Sequence, residues 1–86
     1  MGLFSRLTKA KYDDVQIVAV ATRAIEEDPV IENPGRLVVT SQNGVVTLTG
    51  PAGTETQSRR IEGVINSALK IGGLKHAEII NKLTIA

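Results

Sequence analysis

Residues 37–50 read Leu-Val-Val-Thr-Ser-Gln-Asn-Gly-Val-Val-Thr-Leu-Thr-Gly, and this stretch decides the fold. Two runs rich in β-branched residues, which favour strands, lie on either side of Asn43-Gly44. A type I′ turn needs positive φ at both central residues, and Asn and Gly tolerate this best, so the pair predicts a tight β-hairpin. Gly50 and Pro51 predict the end of the second strand.

Alternation along the two strands predicts two different faces, because side chains two residues apart lie on the same side of a strand. We expect one face to lie beneath helices: Leu37, Val39, Val46 and Leu48. The opposite face is rich in Thr and Val: Val38, Thr40, Val45, Thr47 and Thr49. This Thr/Val face is open to water, covered by the N-terminal segment or used for self-association.

The residues before the hairpin predict an amphipathic helix. Asp13 or Asp14 caps its start, because a carboxylate there accepts a backbone N–H and suits the positive end of a helix. The helix ends at Glu27 or Asp28, because the proline after Asp28 disfavours helical angles at that residue. Its apolar face follows helical spacing: Ile17, Val18, Ala21, Ala24 and Ile25. Two valines lie off this face, exposed or in contact with a partner: Val15 and Val20.

The residues after the hairpin predict a second helix and a last strand. Thr54 begins the helix, and Thr54 with Gln57 fits a capping box. Gly72-Gly73 ends it, since glycine adopts the positive φ common after a helix. The apolar face is the clearest helical pattern in the chain: Ile61, Val64, Ile65, Ala68 and Leu69. Residues 77–85 form the strand.

Composition narrows the class of protein. The 86 residues make one domain, and a chain of this length buries only about 60–65% of its unfolded surface, so the core is thin. Ten basic and nine acidic residues give a net charge of +1, and the only aromatic residues are Phe4 and Tyr12. A nucleic-acid partner is not expected, because such proteins carry clustered basic charge and exposed rings. The lack of cysteine excludes disulfides and zinc–thiolate sites.

No sequence pattern for catalysis is present. The chain has no Gly-x-Ser-x-Gly, no Walker loop and no Gly-x-Gly-x-x-Gly. Acidic residues occur as neighbours, such as Asp13-Asp14. Because adjacent helical positions do not face one another, such neighbours make poor acid/base pairs for catalysis. We therefore expect a protein that is not an enzyme and has no catalytic or cofactor-binding residues. The acidic connector 28–35 lacks the spacing of a calcium loop, and His76 has no second His or Cys for a metal site.

The N-terminal segment, residues 1–12, carries the candidate contact residues. The apolar side chains of Leu3, Phe4 and Leu7 share one side of a short helix, and three cations lie among them: Arg6, Lys9 and Lys11. Such a segment is either a small interfacial anchor or a terminal segment that contacts its own domain or a second copy. With no signal peptide visible, we expect a cytoplasmic protein, peripheral at the inner membrane if the segment is an anchor.

Three groups of residues, taken in order, resemble the BON domain, named for bacterial OsmY and nodulation proteins. The first is Asp14 with Ile17, Ala21 and Ile25, followed by Asp28-Pro29. The second is Asn-Gly-Val-Val-Thr-Leu-Thr-Gly at residues 43–50, which looks very like the family's most recognisable segment. The third is Gly73-Leu74 followed by Asn-Lys-Leu-Thr-Ile at residues 81–85. The resemblance covers residues 13–85, although the stretch from Gly73 to Asn81 is slightly longer than the family's pattern.

The resemblance implies an α/β (α+β) fold of order αββαβ, with two helices on one face of a three-stranded sheet. Strand 3 beside strand 2 gives a mixed sheet, and strand 3 beside strand 1 gives an antiparallel sheet; we predict the mixed sheet.

The family is linked to phospholipid surfaces and to envelope integrity under stress, so the resemblance implies phospholipid binding in a stress or osmotic context. Two alternatives stand beside it. The start Met-Gly-Leu-Phe is similar to that of a cytosolic potassium-binding member, which implies a potassium-responsive protein. The free sheet face and an unpaired edge strand favour a protein partner or a homo-oligomer.

Overall fold

A computed structural model describes residues 11–85 and contains two helices and a three-stranded sheet. The elements in chain order are α1 (Asp14–Glu27), a 3-10 turn (Pro34–Arg36), β1 (Val38–Gln42), β2 (Val45–Gly53), α2 (Glu55–Ile71) and β3 (Glu78–Ile85). The predicted αββαβ order is confirmed.

The sheet is mixed, with β2 in the centre of the order β1-β2-β3. β1 and β2 pair antiparallel, as the hairpin requires, whereas β2 and β3 pair parallel because α2 returns the chain to the same end of the sheet. The prediction of a mixed sheet is therefore confirmed.

The hairpin turn has the predicted geometry. Asn43 has φ of 51° and Gly44 has φ of 80°, so both central residues have positive φ. Gln42 pairs with Val45 across the two-residue turn, which fixes the register of the whole ribbon.

The predicted end of the second strand at Gly50 and Pro51 is wrong. β2 continues to Gly53 because β3 pairs with it beyond that point, with an irregularity between Pro51 and Gly53, and Ala52 reaches the core. Gly50 has φ of 121°, and an added Cβ would lie 2.6 Å from the carbonyl oxygen of Arg36. The glycine thus lets the preceding connector cross close to the sheet rather than ending the strand.

Both helices cover the same face of the sheet and bury its apolar side chains. α1 contributes Ile17, Ala21 and Ile25, α2 contributes Ile61, Ile65 and Leu69, and the sheet contributes Val39, Val46, Leu48 and Ala52. Leu37 is half-buried against this core, as predicted, and Val15 is 81% exposed. Val20, predicted to lie off the core face, packs against the core from its edge. On the other face of the sheet, Val38 is exposed.

The helix ends are set by local hydrogen bonds. Asp13, not Asp14, caps α1 by accepting the N–H of Gln16 at 3.2 Å, and the helix ends at Glu27. Thr54 caps α2 by accepting the N–H of Gln57 at 3.1 Å.

The second half of the predicted capping box is absent from the described contacts. The Gln57 side chain instead donates to the carbonyl of Val30 at 2.8 Å and accepts the N–H of Glu32 at 3.3 Å. Gln57 therefore holds the connector 28–35 against the start of α2, because that loop offers it a donor and an acceptor together.

Candidate functional site: a basic depression at the hairpin end

Asp14 joins the start of α1 to the hairpin turn. Its carboxylate accepts the hydroxyl of Ser41 at 2.6 Å and the backbone N–H groups of Asn43 at 2.8 Å and Gly44 at 2.9 Å. These bonds, with that of Ser41 the largest contribution, lower the pKa of Asp14 below its ordinary value, although partial burial opposes them. The charged carboxylate accepts three hydrogen bonds from the turn, so Asp14 is a structural anchor.

Tyr12 covers this turn from the side of the N-terminus. An added Cβ at Gly44 would lie 2.5 Å from Cγ of the Tyr12 ring, so the glycine is what allows the ring to approach the backbone. Lys11 places its Nζ 5.6 Å from the centre of the same ring, within the range of a cation–π contact. Lys11 and Tyr12, the first described residues, therefore lie at the hairpin turn, with the Lys11 cation beside an aromatic ring.

The residues that follow α2 form a second segment beside the hairpin turn. The N–H of Leu74 bonds to the carbonyl of Leu69 at 2.9 Å and that of Gly73 to Lys70 at 3.1 Å, the two bonds of a Schellman motif. The chain then turns through Lys75 and His76, and the N–H of Ala77 bonds to the carbonyl of Gly44 at 2.7 Å. The residues after α2 are thus tied to the hairpin turn before β3 begins.

These two segments form a shallow depression of roughly 530 Å³, which we call the basic depression; it is lined by Lys11, Tyr12, Asn66, Lys70, Leu74, Lys75 and His76. Its lining, which lies wholly within the described residues, contains no Asp or Glu. None of its three lysines takes part in the ion pairs described for residues 11–85, which involve arginines alone. Three cations therefore face solvent around one concave surface with an apolar floor of Tyr12 and Leu74.

The chemistry of the basic depression favours anions. Charges of one sign around a concave surface reinforce one another and raise the local concentration of the opposite charge. Lysine ammonium groups on flexible stems donate to phosphate oxygens without demanding one fixed geometry. The depression is open and shallow, so it suits a charged group presented at a surface better than an enclosed small molecule.

Of the contact residues predicted from the sequence, the structure describes only Lys11, which lies at the basic depression. The others, Leu3, Phe4, Arg6, Leu7 and Lys9, lie outside the described residues. Sequence reasoning missed Lys70, Lys75 and His76 as members of the same surface. The available signal was the Gly72-Gly73 helix end, which places residues 70–76 in a tight turn with three basic side chains.

The acidic connector contains an ion pair. Asp28 accepts from Arg60 at 2.9 Å and from the N–H of Val30 at 2.8 Å, with its side chain 10% exposed. Burial raises the pKa of Asp28, but these hydrogen bonds and the charge of Arg60 outweigh it and hold the pKa below its ordinary value. Asp28 therefore ties the connector to α2.

Within residues 11–85, no group of three His, Asp or Glu side chains is placed to hold a metal ion. In the same part of the chain, neither helix has the length and apolar character needed to cross a bilayer. Comparison of the chain with protein-family models and with curated protein sequences found no significant match.

Proposed function

We propose that this protein is a non-catalytic binding module that docks on anionic phospholipid surfaces through residues 1–11 and the basic depression. The observation that carries the proposal is the position of Lys11. Lys11, the last cation of the N-terminal segment, lies on the same concave surface as Lys70 and Lys75, so these three lysines can contact one anionic partner together.

The expected affinity is modest and depends on charge. Each lysine near an anionic membrane contributes about 1 kcal/mol, so the three described lysines together give roughly a hundredfold preference for anionic over neutral lipid. Binding of this kind is reversible, and salt weakens it because exposed charges are screened. Arg6 and Lys9 add to the same attraction.

Two further features favour a membrane surface over a soluble anion. Leu3, Phe4 and Leu7 have the spacing that would place them on one side of a helix, and such an apolar set suits the boundary between headgroups and acyl chains. The resemblance to the BON domain, a family linked to phospholipid surfaces, also supports this partner. The potassium-responsive alternative stays a prediction, and no contact described for residues 11–85 favours it.

Vesicle flotation tests the proposal with the whole chain. We expect wild-type protein to float with vesicles that contain phosphatidylglycerol and to stay behind with pure phosphatidylcholine. The double variant Lys70→Glu/Lys75→Glu is expected to bind anionic vesicles tenfold more weakly or worse, since each reversal removes one attraction and adds one repulsion. Arg23→Glu/Arg36→Glu carries the same net charge but changes cations outside the depression, so it should retain most of the binding.

Two results would overturn the proposal. Equal flotation with neutral and anionic vesicles would show that the cations do not select the lipid. Equal losses in the two double variants would show that net charge alone, and not the basic depression, sets the affinity. Flotation repeated with inorganic phosphate at matched ionic strength separates a membrane partner from a free anion. Only a site that binds free phosphate would be blocked by the added phosphate.

A further inference from the structure

The β3 strand forms an edge of the sheet that the described residues leave unpaired. β3 is the last strand in the order β1-β2-β3, and its eight residues make it longer than β1, the five-residue strand at the opposite edge. An unpaired edge offers a row of backbone donors and acceptors to another strand. A lysine on an edge strand usually discourages such pairing, and β3 carries Lys82.

The hydrogen bonds of β3 show which backbone groups face outwards. The carbonyl of Gly44 on the β2 side accepts the N–H of Glu78 at 3.5 Å, besides that of Ala77 just before the strand, whereas the N–H of Leu83 donates to the side-chain Oδ1 of Asn81 on its own strand at 2.9 Å. Backbone groups alternate in direction along a strand. The odd-numbered residues, Ile79 and Asn81 among them, therefore direct their backbone groups away from the sheet.

The charges of β3 lie on the face opposite the helices. Glu78 and Lys82 are exposed, and neither takes part in an ion pair described for residues 11–85. They are four residues apart on one strand, roughly 13 Å, too far to pair with each other. Ile80, half-buried, lies between them on the same face.

We infer that β3 pairs antiparallel with β3 of a second copy of this chain, in the register that places Ile80 opposite Ile80. In this register Glu78 of each copy faces Lys82 of the other, so the strand becomes self-complementary in charge. Ile79 of each copy lies opposite Asn81 of the other, and the outward backbone groups of these residues meet, as an antiparallel ladder requires. A shift by two residues in either direction separates the charges.

The result is a closed two-fold dimer with a six-stranded sheet rather than a filament, because the same surface is used by both copies. The helix layer leaves space beside β3 for the second copy. Gly63 of α2 lines a depression beside Ile79, and an added Cβ at Gly63 would meet nothing within 4 Å. This inference does not depend on lipid binding, since Glu78, Ile80 and Lys82, which define the register, do not line the basic depression.

Sedimentation velocity over a range of concentrations tests the dimer, with circular dichroism to show that each variant is folded. We expect wild-type protein to dimerise reversibly, and less so at high salt. Glu78→Lys and Lys82→Glu should each weaken self-association roughly tenfold or more, because two-fold symmetry doubles every like-charge pair. Glu26→Lys makes the same charge change on α1 and should leave the dimer intact.

The decisive experiment is sedimentation velocity on a mixture of the two single variants. In the mixed dimer, the substituted position 78 of the Glu78→Lys chain faces the substituted position 82 of the Lys82→Glu chain, which makes one pair of opposite charges. The unchanged Lys82 of the first chain faces the unchanged Glu78 of the second, which makes the other pair. A heterodimer should therefore form from two variants that are each monomeric alone. The double variant Glu78→Lys/Lys82→Glu should dimerise with itself. A wild-type protein that stays monomeric at the highest concentration, or a mixture that stays monomeric, would overturn the inference.

Discussion

Oδ1 of Asp14 accepts the backbone N–H of Gly44 at 2.9 Å, which joins the start of α1 to a hairpin turn thirty residues later in the chain. The same carboxylate also holds Ser41 and Asn43. One side chain thus fixes the orientation of the first helix relative to the hairpin. Because Tyr12 and the basic depression lie around the same turn, this anchor also positions the candidate site.

Asp14→Asn should lower the melting temperature clearly, since an amide has one acceptor oxygen and no charge in place of a carboxylate that accepts three bonds. Asp13→Asn is the matched control: it makes the same change one residue earlier, at a helix cap where Asn serves as well as Asp. Thermal denaturation followed by circular dichroism measures both. Equal losses in the two variants would contradict the anchoring role of Asp14.

Acid should unfold the protein partly through Asp14. Its folded pKa lies below the ordinary value of 3.8, so its contribution to stability is complete above that value and is lost as pH falls through the lowered pKa. Asp28 acts in the same direction. We expect the stability of wild-type protein to fall below about pH 4 and Asp14→Asn to flatten this fall. Urea denaturation at a series of pH values measures it, and parallel curves would rule out a role for Asp14.

Local patterns predicted much of the fold. The Asn43-Gly44 turn, the apolar face of α2 and the helix end at Gly72-Gly73 all depend on residues close in sequence, and the structure confirms each. On α1 the structure confirms Ile17, Ala21 and Ile25, but Val20 packs against the core in place of the predicted Val18. The end predicted for β2 at Gly50-Pro51 was wrong because the parallel partner β3, which extends the strand, is distant in the chain.

The residues of the candidate site were harder to predict because their contacts are nonlocal. Asp14 was predicted only as an alternative to Asp13 for the helix cap, because its real partners lie in the hairpin, distant in sequence. Gln57 was assigned to a capping box, but the connector competes successfully for its amide. Lys70 and Lys75 join Lys11 only when α2 is folded back along the sheet, and no spacing rule places residues so far apart on one surface.

Gly44→Ala should be far more damaging than Gly53→Ala. Both glycines have positive φ, 80° and 84°, so an alanine at either position costs about 1–2 kcal/mol of backbone strain. Only at Gly44 does the new Cβ collide with Tyr12, whereas nothing lies within 4 Å at Gly53. Chemical denaturation of both variants isolates the collision, and NMR signals of the Tyr12 ring should shift in Gly44→Ala alone. Equal destabilisation would mean that the ring does not pack on the turn.

Truncation of two isoleucines on α2 should show which face of the helix forms the core. Ile65 is 0% exposed and Ile71 is 87% exposed. We expect Ile65→Ala to lower the free energy of unfolding by about 2–5 kcal/mol and Ile71→Ala by less than about 0.5 kcal/mol. Urea denaturation measures the difference. A large effect at Ile71 would show that this side chain is covered in solution.

The most direct test of the account is an NMR titration of isotope-labelled, full-length protein with nanodiscs that contain anionic lipid. We expect line broadening to concentrate at the hairpin end, at Lys11, Lys70, Lys75 and His76, and to weaken with added salt. Signals from the connector 28–35, at the opposite end of the sheet, should stay sharp by comparison. Broadening centred on that connector, or equal broadening with neutral nanodiscs, would contradict the claim that the basic depression binds the membrane.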